Sequence, residues 1–260
     1  MKDRGAFAGA LYGATLYEFR MQVRRRALWI TFALFALVLP VHAWTPWDPA
    51  LGDNPADFLI VAWSLTVQFI HPVAFGLLLA DRIPLDRRTG SIELLETLPA
   101  SPGGRFLGKY LGSTLATLVP LLVTWAAGVA YIVADTGDPA AVPLAAAAFL
   151  TVNLPGLLFV AAFSVACPVV LWVPLYQFLF VGYWFWGNLI PLGVPIPTLT
   201  RTQLTPLGEY MANGFFWRTS AYRTMDATVL DGAASMGLLL GLATVALACG
   251  YGLWRRRNYA

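Results

Sequence analysis

Few side chains in this sequence are placed to do chemistry. His42 and His71 are the only histidines, and neither belongs to an HExxH pair of the kind that holds a catalytic zinc. Ser64 and His71 are seven residues apart. On a helix they would share a face yet stand about 10 Å apart along the axis, beyond nucleophile-to-base reach. The chain has no GxSxG elbow and no GxxxxGK[ST] phosphate loop, so it cannot bind and split ATP by that route. Its 5 Met and 2 Cys form no soft-ligand cluster for copper, and no metal site is expected. What remains is a set of polar residues in apolar surroundings: Gln68, His71-Pro72, Asn153, Pro155 and Tyr176-Gln177. Polar groups in hydrocarbon face a bundle interior or a water-filled path. Two readings stay open for them, a substrate pathway or gate and plain hydrogen bonding between helices.

The elements that must position these residues follow from where charge is missing. Of 260 residues, 58% are hydrophobic and 12% charged, with a mean hydropathy of +0.65. A soluble domain carries about 25% charged residues, so a single soluble enzyme is excluded. Uncharged runs of 21, 23, 25, 62 and 23 residues separate Arg26 from Asp48, Asp57 from Asp81, Lys109 from Asp135, Asp138 from Arg201 and Asp231 from Arg255. About 20 apolar residues cross a bilayer as a helix. The expected fold is all-α and integral to the membrane, with spans near 27–44, 58–80, 110–134, 142–165, 174–190 and 232–254.

Lys and Arg give the orientation. The N-terminal segment has six, the loop Asp81–Lys109 five and the tail Arg255–Arg257 three, together 14 of the 17. By the positive-inside rule these segments face the cytoplasm. Asp138 and Arg201 then both lie outside, so the 62-residue run must cross twice, turning near Cys167-Pro168 and Pro174. Trp29, Trp172 and Trp254 fall near the inner interface, and Trp44, Trp47, Trp184, Trp186 and Trp217 near the outer one, as an aromatic belt requires. Cys167 and Cys249 sit toward the cytoplasmic ends, where a structural disulfide is not expected. A multi-pass plasma-membrane protein, expected to be bacterial, is the result. The net charge of +3 belongs to the inner arginines and implies no nucleic-acid partner.

The organisation is therefore an interfacial segment 1–26, two spans in 27–80, a cytoplasmic loop 81–109, four spans in 110–254 with an external segment about 192–231, and a basic tail 255–260. In the first segment Tyr12, Leu16, Phe19 and Val23 form an apolar stripe flanked by Arg20 and Arg24, suited to the inner leaflet. In the loop, residues from Thr89 or Ser91 to Pro99 read as a short helix whose ridge of Ile92, Leu95 and Leu98 is too small to make a core. Such a ridge must dock on lipid or in the groove of a partner.

The run DRRTGSIELLETLPASPGGRFLGK, Asp86–Lys109, resembles the cytoplasmic loop of type-2 ATP-binding-cassette (ABC) transporter permeases, exporter type. There a charged residue, Gly-[Ser/Thr], an acidic-Leu-Leu helix, Leu-Pro-x-Ser and a later Gly-Lys precede the third span. Pro102-Gly103-Gly104 departs from the charged residues common at that point. The resemblance implies six spans, an N-terminal elbow helix, cytoplasmic termini and a coupling helix that enters a groove of a separate ABC ATPase subunit. Arg87, Arg88, Gly90, Ser91, Glu93, Leu94, Leu95 and Pro99 would form that docking element. It further implies a second permease chain as a homo- or heterodimer partner, ATP and Mg on the ATPase and none here, and lining contributed by the second and fifth spans. Gln68, His71, Tyr176 and Gln177 are then the lining candidates. Short or re-entrant helices would close the outer end. The expected function is export of a hydrophobic or amphipathic cargo such as a lipid-like molecule, drug or antibiotic. The alternatives are a membrane scaffold without a pathway and an intramembrane enzyme dependent on His71.

Overall fold

Apolar runs that leave water must satisfy their backbone internally, and helices do so without a partner. The computed structural model describes residues 2–43, 56–88, 101–189, 197–216 and 225–259, and among them there is no strand. In chain order the helices are α1 Lys2–Val23, α2 Arg26–Ala43, α3 Ala56–Leu79, α4 Arg82–Arg88, α5 Pro102–Thr136, α6 Ala141–Ala148, α7 Leu154–Ala166, α8 Val173–Leu189, α9 Glu209–Phe215 and α10 Val229–Tyr259. A π turn, Phe149–Asn153, joins α6 to α7, and a 3-10 turn, Cys167–Val169, follows α7.

Among the described residues four helical stretches are long and apolar enough to cross a bilayer: Ala56–Leu85, Pro102–Thr136, Ala141–Val169 and Val229–Arg257. They coincide with the second, third, fourth and sixth expected spans, and this all-helical set of described residues is what a membrane protein would have. Helices α2 and α8 occupy the first and fifth expected spans with 18 and 17 residues. At roughly 1.5 Å per residue they are about 26 to 27 Å long, slightly less than a hydrocarbon core of about 30 Å.

Helix α5 starts earlier than the charge pattern alone places the third span. Ser101 caps it by accepting from Gly104 N at 3.5 Å, and Pro102 takes the first turn, where a missing N–H costs nothing. The helix therefore carries Arg105 and Lys109 on turns that precede the apolar run, and it ends at Gly137 with φ 69°. At the other end of the chain α10 continues through Arg255–Arg257, so the basic tail is helical.

Helix α3 is the hub, packing against α2, α5, α6, α7 and α8. Ile60, Val67, Ala74 and Phe75 on it are fully buried. Between helices in lipid, packing and hydrogen bonds replace the hydrophobic drive, and small residues bring backbones together. A Cβ on Gly76 would stand 1.9 Å from the Phe180 ring, and one on Gly128 2.1 Å from Trp63. The outer surface is correspondingly greasy: Leu37, Phe178 and Leu230 are each more than 70% exposed, as lipid-facing side chains are.

The described part of the external segment folds back onto the bundle instead of lying across it. Met211 and Ala212 of α9 are buried in one cluster with Ile60 and Val152. Gly208 makes the approach possible: its φ is 84°, and a Cβ there would lie 2.6 Å from Val152 Cγ1.

Candidate functional site

Among the described residues, a constellation of charge lies where α1, the start of α4 and α5 meet, at the end of the bundle that the Lys and Arg bias assigns to the cytoplasm. Helix α5 exposes Gly104, Gly108 and Gly112 at four-residue spacing, and α1 lies in the trough they leave. A Cβ on Gly104 would come within 2.8 Å of Phe7 O, on Gly108 within 2.5 Å of Ala14 Cβ, and on Gly112 within 2.5 Å of Thr15 O. Two of these contacts are to backbone, which cannot swing aside. The Pro102-Gly103-Gly104 departure thus opens the groove in which α1 sits.

That close approach buries Glu18, 1% exposed, between two cations. Arg82 Nη1 stands 3.9 Å from Glu18 Oε1, and Lys109 Nζ stands 3.7 Å from Glu18 Oε2. Gln22 Nε2 donates to Glu18 Oε1 at 2.9 Å, Arg82 Nε donates to Asp81 Oδ1 at 2.9 Å, and Lys109 Nζ donates to Arg82 O at 3.4 Å. Asp81-Arg82 opens the loop that the charge bias assigns to the cytoplasm, and Lys109 closes it. One carboxylate of α1 therefore pins both ends of the segment that carries the expected docking motif. Buried charges are tolerated only when paired and hydrogen-bonded, and the cluster meets that condition with three carboxylate or amide partners.

Of the expected docking residues, Arg87 and Arg88 form the last residues of α4. Gly90, Ser91, Glu93, Leu94, Leu95 and Pro99 lie outside the described residues.

A second polar group lies at the heart of the bundle. Pro155 has no N–H to give Thr151 O, so the helix widens there: Leu154 N donates to Phe149 O, five residues back. The π turn presents Asn153, fully buried. Its Nδ2 donates to Ser64 O at 2.8 Å and to Gln68 Oε1 at 3.2 Å, while Gln68 Nε2 donates to Pro206 O at 2.8 Å. Helix α3, the π turn and the external segment are joined through one glutamine. Gly156 leaves the room, since a Cβ there would be 2.2 Å from Gln68 Nε2.

The other lining candidates are separate from this seam. His71 is buried with Nδ1 3.2 Å from Val67 O and its ring 5.5 Å from Phe32. Tyr176 Oη and Ser164 Oγ are 2.9 Å apart, joining α8 to α7. Gln177 Nε2 donates to Leu77 O at 3.0 Å, joining α8 to α3. Gln68, His71 and Tyr176 are turned inward, and all but His71 bond to a neighbouring element. Ser64 Oγ donates to Ile60 O at 3.0 Å, so Ser64 and His71 each engage their own helix and not one another. Among the described residues no group of three potential metal ligands occurs.

Sequence reasoning missed Glu18, Arg82, Lys109 and Pro206. A signal existed for the first, because Glu18 is the one carboxylate among residues 4–47, and for its groove, because three glycines recur at helical spacing. Outside the four long apolar helices, Glu209 at the start of α9 is pushed up from the ordinary carboxylate range by burial, opposed by a backbone hydrogen bond and the positive charge of Arg201.

Compared with models of known protein families and with curated proteins, the chain matches none.

Proposed function

We propose that the chain is the membrane permease subunit of an ABC exporter, with six spans and both termini in the cytoplasm, driven by a separate ATPase that binds ATP and Mg. The supporting observation is the pinning of both ends of loop 81–109 on Glu18. A coupling helix is useful only if its displacement reaches the spans. Here α3 runs through Leu79 to Asp81-Arg82, α5 carries Lys109, and α1 bridges them. A push on the loop moves these three helices as a body, which is the rigid displacement that such transitions use. Helices α2 and α8 complete the six crossings, since near-30 Å apolar helices at the positions the charge bias requires need only slight bilayer thinning.

A pathway is assigned to the junction of two copies. Gln68, His71 and Tyr176 are consumed inside one copy, and an apolar outer surface is what a second copy or lipid would cover. That surface favours a hydrophobic or amphipathic cargo over a small ion.

The test is co-expression with an ABC ATPase encoded in an adjacent reading frame, whose presence the proposal requires. Wild-type chain should co-purify with it, and Leu95→Glu or Gly90→Pro, inserted in the membrane at wild-type level, should not. Undiminished association of both variants would remove the coupling-helix assignment.

A further inference from the structure

A cleft of about 310 Å³ opens at the end of the bundle that the Lys and Arg bias assigns to the cytoplasm. It is lined by Ile83 and Pro84 of α4, the turn Pro168–Trp172, Val173 at the start of α8, and Arg257 of α10. Small-ligand sites begin at about 300 Å³, so the cleft has room for a polar headgroup and none for an acyl chain.

Arg257 is the one charged residue in this lining, and it is both anchored and unneutralised. Its Nη1 donates to Val169 O, which holds the guanidinium at the turn after α7 and leaves four of its five N–H donors. The ion pairs of the described residues join Arg82 and Lys109 to Glu18 and Asp81, and none takes Arg257. Through Val173 the positive end of the α8 dipole meets the same cleft, and no acidic residue stands in that first turn. Guanidinium matches phosphate in shape and charge.

The lip selects the kind of anion. Val170 and Trp172 are each more than half exposed, and from Trp172 an exposed apolar row continues at helical spacing through Leu175 and Leu179, with Phe178 beside it. Contiguous bare apolar surface marks contact with lipid or protein, and on a helix that the charge pattern requires to span, lipid covers it. Trp172 and Arg257 stand at headgroup depth, on the side where basic pockets between membrane helices hold phosphorylated headgroups.

We propose that this cleft binds one anionic phospholipid of the inner leaflet, its phosphate at Arg257 and its glycerol against Pro84 and Trp172. The acyl chains lie outside the cleft, along Leu175, Phe178 and Leu179. So seated, the lipid ties the start of loop 81–109 to α8 and to the tail. The site rests on the membrane placement and the inward orientation, and is independent of the ATPase assignment.

Native mass spectrometry of the full chain, released from nanodiscs of equal phosphatidylcholine and phosphatidylglycerol, tests it. Wild type should retain one phosphatidylglycerol per chain. Arg257→Gln should lower that occupancy at least tenfold, whereas Arg257→Lys, which also gives up the guanidinium but keeps the charge, should stay within threefold of wild type. Val170→Trp, at an exposed turn position, should lower occupancy as Arg257→Gln does by filling the cleft. Arg255→Gln, on the exposed tail and outside the lining, should retain lipid as wild type does. Equal retention in wild type, Arg257→Gln and Val170→Trp overturns the proposal, as does equal loss in Arg255→Gln, which would mean general surface attraction. A wild type that keeps no lipid, yet gains Tm with millimolar inorganic phosphate, has a free-phosphate site, and the lipid assignment falls.

Discussion

Replacing Glu18 by Gln keeps the side chain's shape and removes its charge from between Arg82 and Lys109. The two ion pairs, at 3.9 and 3.7 Å, are each worth about 4 kcal/mol of attraction at an effective dielectric of about 20. Desolvation of all three groups offsets much of that gain, so the attraction is not the stability lost. Taking one partner out of a buried pair leaves an uncompensated charge and costs about 3–5 kcal/mol. Arg82, 2% exposed, keeps Asp81 as an ion-pair partner, and the Lys109 side chain, 17% exposed, recovers part of its hydration, so neither charge is left wholly uncompensated. The lower end, about 3 kcal/mol, is therefore expected, which is about a hundredfold in an opening equilibrium. Hydrogen exchange of the α1 amides between Thr15 and Val23, measured in nanodiscs, reads that equilibrium directly. Protection should fall about a hundredfold in Glu18→Gln, should change little between low and high salt because the pair is shielded from solvent, and should be partly restored in Glu18→Gln/Lys109→Met. A fall of less than threefold would put Glu18 in the range of exposed surface pairs and refute the clamp.

Three further outcomes follow from the packing. Gly108→Leu forces a side chain into Ala14 and the Leu11 carbonyl; overpacking of about 1–3 kcal/mol should release α1, seen as loss of a disulfide cross-link engineered between α1 and α5. Gln68→Leu leaves Pro206 O without its donor, and at about 0.6–1.7 kcal/mol per interhelical bond in a membrane it should raise exchange in residues 205–216 up to about tenfold while leaving α10 unchanged. Glu209 has its folded pKa raised by burial, so its contribution to holding α9 is fully present below the unfolded carboxylate value and is lost as pH rises through the higher folded value. Exchange of α9 should accordingly increase with pH beyond the intrinsic chemical dependence, and Glu209→Gln should abolish that excess.

The spans were legible because hydrocarbon disfavours charge, and the apolar lengths of α3, α5 and α10 lie in the runs that lack Lys, Arg, Asp and Glu. The lodging of α1 was not. Hydropathy selects Tyr12, Leu16, Phe19 and Val23 as its important face, yet Tyr12 is 71% exposed, and the face that meets α5 is Leu11, Ala14, Thr15 and Glu18. Close helix contact is made by smallness, a property that an apolar count does not register. Glu18 itself reads as a solvated cytoplasmic charge until its two distant partners, 64 and 91 residues further on, are brought beside it. The seam at Asn153 was half legible. The polar residues stood out, but that Gln68 bonds to Pro206 depends on the external segment folding back, which no local pattern encodes. The turn at Cys167-Pro168, by contrast, was local: α7 ends at Ala166 and α8 begins at Val173.

The partnership of Glu18 with Lys109 also bears on biogenesis. Translation runs at about 5–20 residues per second, so Glu18 leaves the ribosome roughly five to twenty seconds before Lys109. During that interval α1 has no glycine trough to lie in and no cation to neutralise its carboxylate. On the proposed permease reading the stripe Tyr12–Val23 would give it a resting place on the leaflet, with Arg20 and Arg24 among the headgroups. On that reading the stripe and the docking face would serve in succession, the first while the nascent chain is being inserted and the second once α5 has arrived. A chain whose stripe is made polar should therefore accumulate as an assembly intermediate even though the finished α1–α5 contact is untouched.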